Sequence, residues 1–400
     1  MQGFGSYKIM IINSKLIKNK RLKQCLFFLF FLIIILRPGI YIYQNKESFF
    51  SAGFMQNYEQ LKKLYYSSQY VKKKDPGIIP DQALESFAAG AFLKGMNPIL
   101  IVHDQPPLGR YIIALSIAVF DNASTVEFFL ILISVLGLFL VAHSVLKNLF
   151  LAIIPVGIFI NEPMFFDKFT YIPLLEPIQL SFIIFAIYFF TKGNYEKKYI
   201  PWFVLACTML GFVISTRFFI LGLVLLFTWV FYLLIILKDI RRFFTLLFLA
   251  PLSLVVLVAS YTKTIQDGYS IREIFGIQKY IFFYHKSKFI LPFSFWDLLL
   301  FNRWHTWWGN RAISSDSQWI LLWPISMTLT FISIITSLFS KVQLSEAEKI
   351  IILWILGYSL MLSAGYTSTR YFLPLIPFLY IISISFVIKI IRVFYNQKNR

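Results

Sequence analysis

An all-α, polytopic integral membrane protein is what three features of the 400-residue sequence predict. Hydrophobic residues make up 58% of the chain and charged residues only 14%, where soluble domains carry about 25% charged residues. The mean hydropathy is +0.70. The apolar residues fall in runs that approach the roughly 20 residues a helix needs to cross about 30 Å of hydrocarbon. The basic residues fall in short clusters between those runs, as membrane orientation requires. That placement accounts for the formal charge of +19 and sets nucleic-acid binding aside.

Taken in order, the chain opens with Lys8, Lys15, Lys18, Lys20, Arg21 and Lys23 ahead of an apolar run. No small-residue cleavage site follows, and Arg37, Pro38 and Gly39 lead into more aromatic chain. An uncleaved signal anchor with a cytoplasmic amino terminus is the expectation. Spans are predicted near 24–43, 125–146, 149–164, 172–190, 200–216, 218–237, 243–262, 318–339, 350–366 and 371–391. Cys25 and Cys207 each lie within an apolar run, as packing residues do, which argues against a disulfide framework or a thiolate metal site.

The segment 107–120 is apolar too, but a helix of fourteen residues reaches only about 21 Å. If it crossed, the clusters Lys192/Lys197/Lys198, Lys238/Arg241/Arg242 and Lys389/Arg392/Lys398/Arg400 would all face outside, against the positive-inside rule. Laid on the outer surface, it leaves those clusters and Lys147 cytoplasmic. The expected layout is then about 10 transmembrane helices with both termini cytoplasmic. Four regions follow: a basic cytoplasmic segment 1–23, a transmembrane module 24–262 that includes an external loop 44–124, a second external loop 263–317, and closing helices with a basic tail over 318–400.

This layout puts both long polar loops on the extracytoplasmic face, together with the short turns holding Asp167, Arg217 and Arg370. The cytoplasmic loops are short and basic and contain no glycine-rich phosphate cradle. A nucleotide-driven pump and a soluble nucleotide-sugar enzyme are therefore disfavoured. The chain shows no internal repeat, which weakens an inverted-repeat transporter.

Within the first external loop, residues 81–94 read as a helix closed by Gly95 and Pro98. Asp81 and Glu85 are four apart and share a face of it. The plain reading of Asp81 is a helix cap after Pro80, and of Glu85 a solvated acid. The next element, His103-Asp104-Gln105-Pro106-Pro107-Leu108-Gly109-Arg110, opens the surface helix; its plain reading is a proline-initiated helix start with an interfacial arginine.

Here the sequence resembles the C-type (GT-C) glycosyltransferases that use polyprenyl-phosphate sugars, in particular the protein O-mannosyltransferase and lipid A aminoarabinose transferase branches. In those, an acidic motif opens an external helix, and a Pro-Pro-Leu element with a basic residue comes some way after it. Asp81-Gln82 followed by Gln105-Pro106-Pro107-Leu108-Gly109-Arg110 matches that order. Thr170-Tyr171-Ile172-Pro173-Leu174-Leu175-Glu176-Pro177 falls where the family has an acid at the outer end of a span. Ser215-Thr216-Arg217 is similar to its Ser-Thr-Lys turn, and Arg370-Tyr371-Phe372-Leu373-Pro374-Leu375-Ile376-Pro377 to its late Arg-Tyr element. The matches cover most of the chain apart from the loop 263–317. The departures are Gln82 for a second acid, Gln105 for a His or Lys, and Glu127 for an arginine opening the second span.

What the resemblance implies is an inverting transfer of a sugar, mannose among the candidates, from a polyprenyl- or dolichyl-phosphate donor to a hydroxyl of a protein, lipid or glycan acceptor. The physics is compatible. The leaving phosphate needs no strong general acid, so one carboxylate to take the acceptor proton and fixed cations to hold the phosphate suffice. Asp81 is the expected base, with Glu85 as the alternative. Arg217 and Arg370 are expected to bind phosphate, Glu176 to pair with one of them, and Asp104 and Arg110 to contribute to the substrate site.

The second loop carries Trp296, Asp297, Arg303, Trp304, His305, Trp307, Trp308, Arg311, Asp316 and Trp319. Tryptophan at this density marks an interfacial belt; the competing reading is a sugar platform in which Arg303 and His305 reach phosphate or hydroxyls. Four histidines with none at close helical spacing argue against a zinc site. No cofactor is expected, with an acid-bound divalent cation left open. The loop is too short for the β-trefoil module of eukaryotic protein O-mannosyltransferases. Two other classes stay in view: a flippase or transporter for lipid-linked saccharides, and a non-catalytic accessory subunit of the same fold.

Overall fold

The computed structural model describes residues 20–286, 291–306, 312–339, 343–365 and 367–398, and each expected span coincides with helix there. The first is Lys20–Gln44, followed by Thr125–Leu146, Leu149–Ile160, Leu175–Tyr195 and Ile200–Thr216. Ile220–Phe231 continues through a π turn over Tyr232–Ile236. Ile240–Leu249 and Pro251–Ser260 meet at Ala250, which keeps helical geometry. Leu322–Phe339, Glu346–Ser363 and Ile376–Lys398 complete the set. Among the described residues, five helices are long and apolar enough to cross a membrane by length and composition: Thr125–Leu146, Leu175–Tyr195, Ile240–Ser260, Leu322–Phe339 and Ile376–Tyr395. The outward faces keep large apolar side chains uncovered, Phe248 and Leu360 among them, the surface that lipid covers in a membrane protein.

Local chemistry sets the helix ends. Asn148 and Asp239 each accept from the backbone N–H three residues on, at 3.1 and 3.0 Å. Ser345 and Glu348 form a reciprocal capping box, and caps of this kind are worth about 1 kcal/mol each. That box also explains why the ninth helix starts at Glu346 and not at 350. The expected start at 172 moves to Leu175 for another reason: the N–H of Leu174, in extended conformation, donates to Glu127 at 2.8 Å. The last span starts at Ile376 because Thr369–Phe372 forms a 3-10 turn before it.

One hydrophobic core runs from Phe49 to Ile382, and Leu175–Tyr195 lies at its centre, packed against Thr125–Leu146 and Ile200–Thr216. Phe190 stacks between Phe203 and Trp229, with centroids 5.3 and 4.7 Å away. The segment 44–124 adds a core of its own. Its helices Phe54–Tyr66 and Asp81–Leu93 pack Tyr58, Tyr65, Leu84 and Phe87 together, with Tyr111 of Leu108–Phe120 against them. As the closing signal predicts, the chain turns at Gly95, whose φ of +80° favours glycine.

The Leu108–Phe120 helix, thirteen residues long, lies against the ends of two spans through Gly109. A Cβ there would stand 2.6 Å from a Leu175 methyl and 2.9 Å from the Thr216 methyl. Only glycine permits this approach, which brings the outer loop to the mouth of the bundle.

Between the Pro251–Ser260 and Leu322–Phe339 helices, Thr262–Gln266, Ile271–Lys286 and Ser294–Phe301 are helical, and Trp304–His305 pairs antiparallel with Ile313–Ser314. The indole N–H groups point inward to partners: Trp296 to Ser363 Oγ at 2.9 Å, Trp304 to the Thr367 carbonyl at 2.9 Å, and Trp319 to the Leu299 carbonyl at 3.0 Å. These three tryptophans anchor the loop to the bundle. The basic residues Lys8, Lys15 and Lys18, and also Trp307, Trp308, Arg311 and Arg400, lie outside the described residues.

Candidate functional site

Two arginine–carboxylate clusters stand at the end of the bundle that carries the segment 44–124. The first is closed. Arg110 is fully buried; its Nε donates to Glu85 Oε2 at 2.7 Å and its Nη2 to Asp104 Oδ1 at 3.0 Å and Glu85 Oε1 at 3.3 Å. Its remaining Nη1 donates to the Val102 carbonyl. Burial raises the Glu85 carboxyl to about 7, against the downward pull of Arg110. The guanidinium stays charged despite its own burial because Glu85 and Asp104 flank it. A group so fully engaged holds the loop together and faces no open space.

The second cluster is an open chain. Pro80 takes the cap position of the Asp81–Leu93 helix, and the Asp81 side chain makes no capping bond, contrary to the plain reading of that residue. Instead its Oδ2 accepts from Arg370 Nη1 at 2.6 Å, across 289 positions of sequence. The same Nη1 lies 3.7 Å from Glu176 Oε1, and that oxygen lies 3.1 Å from Arg217 Nη2. The Tyr371 ring sits beside both guanidinium groups, 5.3 Å from Arg217 and 5.2 Å from Arg370. Asp81 and Glu176 both occupy the first turn of a helix, where the backbone dipole favours a negative charge. Exposure differs along the chain: the Asp81 side chain is 53% exposed and that of Glu176 only 8%.

Glu176, Arg217, Arg370 and Tyr371 form the polar end of a cavity of about 380 Å³. Phe218, Leu221, Phe282, Met361 and Leu362 supply apolar wall, with Gln179 one helical turn from Glu176. Gln105 lines it too, and its Oε1 accepts from the Phe218 N–H at 2.9 Å. The residue that departs from the family pattern thus stitches the outer loop to the turn carrying Arg217. Glu127 also has a visible task. Buried, it accepts from the Leu174 N–H two positions before Glu176, and so fixes the start of that helix.

Of the nine residues singled out in the sequence, the structure brings together Asp81, Glu176, Arg217 and Arg370. Glu85, Asp104 and Arg110 form the closed cluster instead. Arg303 is exposed in the second loop, and His305 pairs with Asp297 at 2.8 Å; neither lines the cavity. The sequence reading missed Gln179, Tyr358 and Tyr371. A polar Gln179 one turn from Glu176 in an apolar span was the signal available for the first. Among the described residues, no three His, Cys, Asp or Glu side chains stand close enough to hold a metal ion.

Chemically, two guanidinium groups on one apolar-walled cavity suit an anionic head with a hydrophobic tail, and a half-exposed carboxylate suits proton acceptance.

No family model matches the sequence, and no curated protein is detectably similar to it. Solved structures are similar in fold. ArnT from Cupriavidus metallidurans in the apo state superposes with a TM-score of 0.56 at 15% identity, covering 77% of this chain and 55% of that one. The same protein bound to undecaprenyl phosphate gives 0.50 at 14% identity, covering 84% and 59%. The archaeal oligosaccharyltransferase AglB from Archaeoglobus fulgidus, in complex with an inhibitory peptide and a dolichol-phosphate, gives 0.50 at 10% identity, covering 86% and 51%. The chain thus spans between half and three fifths of the length of these proteins.

Proposed function

From the GT-C-like fold of this integral membrane protein as premise, we propose that it is an inverting glycosyltransferase that moves a sugar from a polyprenyl-phosphate carrier to a hydroxyl group at the extracytoplasmic face. Mannose is the first sugar to try, and protein, lipid and glycan hydroxyls are the acceptor classes. The observation that carries this reading is that Glu176, Arg217 and Arg370 line an apolar-walled cavity while Asp81, outside its lining, pairs with Arg370. ArnT with undecaprenyl phosphate and AglB with dolichol-phosphate, both of similar fold, support a polyprenyl phosphate as the donor.

In this reading Arg217 and Arg370 hold the donor phosphate, and the cavity walls receive the start of the lipid. The acceptor oxygen forms a bond to the sugar's anomeric carbon as the bond from that carbon to the phosphate oxygen breaks. The electron pair leaves on the phosphate and the hydroxyl proton passes to Asp81. Attack opposite the leaving group inverts the anomeric centre. Asp81 becomes available when Arg370 turns from it to the phosphate. Glu85, held by Arg110, keeps the external helices in register and is not the base.

The test is transfer of labelled sugar from synthetic polyprenyl-phosphate mannose and glucose to membrane acceptors, comparing wild type with Asp81→Asn. Transfer by wild type and its loss in the variant supports the reading. No transfer with any donor shifts the assignment to a flippase or an accessory subunit.

A further inference from the structure

The two arginines of the cavity bring no net positive charge with them. Arg370 is paired with Asp81 and both arginines share one oxygen of Glu176. Lys168, within electrostatic reach of Glu176, is matched by Asp167 at 2.8 Å. Three cations thus meet three carboxylates among the described residues. The neighbouring Arg110 cluster, one cation against Glu85 and Asp104, leans negative. A protein of formal charge +19 has assembled a neutral site for an anion.

Resting on the proposed glycosyl transfer, we infer that Glu176 discriminates between the sugar-loaded carrier and the spent one by charge. The loaded carrier is a phosphodiester with one negative charge. The spent carrier is a phosphomonoester, which at pH 7 carries about 1.5 to 2. Both meet the Glu176 charge beside the guanidinium groups, since Arg217 Nη2 at 3.1 Å and Arg370 Nη1 at 3.7 Å form ion pairs with its Oε1. Little water reaches Glu176 to screen the contact, and the adjoining walls are apolar. The added charge of the monoester is therefore repelled more strongly here than it is at an exposed site. Glu176 lets a monoanion share the arginines and weakens their hold on a dianion, which favours departure of the spent carrier, a step that limits turnover in many enzymes.

The experiment uses the full-length protein in detergent and two soluble probes, farnesyl phosphate and its methyl phosphodiester, with affinities measured by calorimetry at pH 7.5. Glu176→Gln keeps the shape of the side chain and removes its charge. It is expected to tighten farnesyl phosphate by about tenfold or more and the methyl diester by a clearly smaller factor. Asp81→Asn, more exposed and so more easily tolerated, is expected to shift the same ratio in the same direction by less. Equal changes for both probes, or weaker monoester binding, overturn the inference while leaving a lipid-phosphate site in place. If Glu176→Gln does not fold, the ratio in Asp81→Asn decides by the same criterion. Binding of neither probe to any of the proteins overturns the inference and the proposed function together.

Discussion

The two arginine–carboxylate clusters use the same chemistry to opposite ends. Around Arg110 the guanidinium is enclosed, and its partners Glu85, Asp104 and Val102 all come from the same segment, 44–124. Around Arg217 and Arg370 the partners, Asp81 and Glu176, come from two distant parts of the chain, and one flank opens on the cavity. The difference is in what remains to be satisfied. An enclosed cluster gains nothing from a ligand, whereas an open one offers donors that a ligand can take over. Resemblance in sequence treats both arginines as substrate contacts; burial and connectivity separate them.

The comparison breaks most sharply at Asp81. Asp81→Asn is expected to lower sugar transfer by about 10²- to 10⁴-fold, the usual reach of one general base. Its melting temperature should hardly move, because a half-exposed ion pair contributes about 0–1 kcal/mol. Arg110→Ala should do the reverse in kind. Leaving the buried Glu85 and the partly buried Asp104 without their cation is expected to cost about 3–5 kcal/mol, read as a large drop in thermal stability and early proteolysis of the loop 44–124. Retained stability in that variant would show that the closed cluster is not structural.

Smaller effects sharpen the contrast. Gly109→Ala forces a Cβ against Leu175 and Thr216, neighbours of Glu176 and Arg217, and should cost about 1–3 kcal/mol with transfer reduced in step. Arg303→Ala, on an exposed side chain away from the cavity, should change stability by less than about 0.5 kcal/mol. Transfer by that variant should match wild type, and a large loss would return the second loop to the substrate site.

Much of the helical scaffold was legible in the sequence because apolar runs and basic punctuation report directly on it. Glu127, Leu174 and Ser345 show where that reading stops: side-chain to backbone hydrogen bonds moved helix starts by three or four residues. A shared face for Asp81, Glu176, Arg217 and Arg370 and a pair between Glu176 and one of the arginines were expected; the pair between Asp81 and Arg370 was not. Their actual pairing is a product of tertiary packing, which spacing along the chain does not encode. The burial of Arg110 is not legible for a related reason. A Pro-Pro-Leu-Gly-Arg element announces a helix start, but whether its arginine turns toward solvent or into the Glu85 and Asp104 carboxylates depends on a neighbouring helix 25 residues away.

The pair between Asp81 and Arg370, 289 residues apart, also sets a schedule for biosynthesis. At a translation rate of about 5–20 residues per second, Asp81 leaves the ribosome roughly a quarter of a minute to a minute before Arg370 does. Throughout that interval the external helices can complete their own Arg110 cluster, whose members all lie within the first 110 residues. The open cluster must wait for Arg370, so the site is completed after the Arg110 cluster.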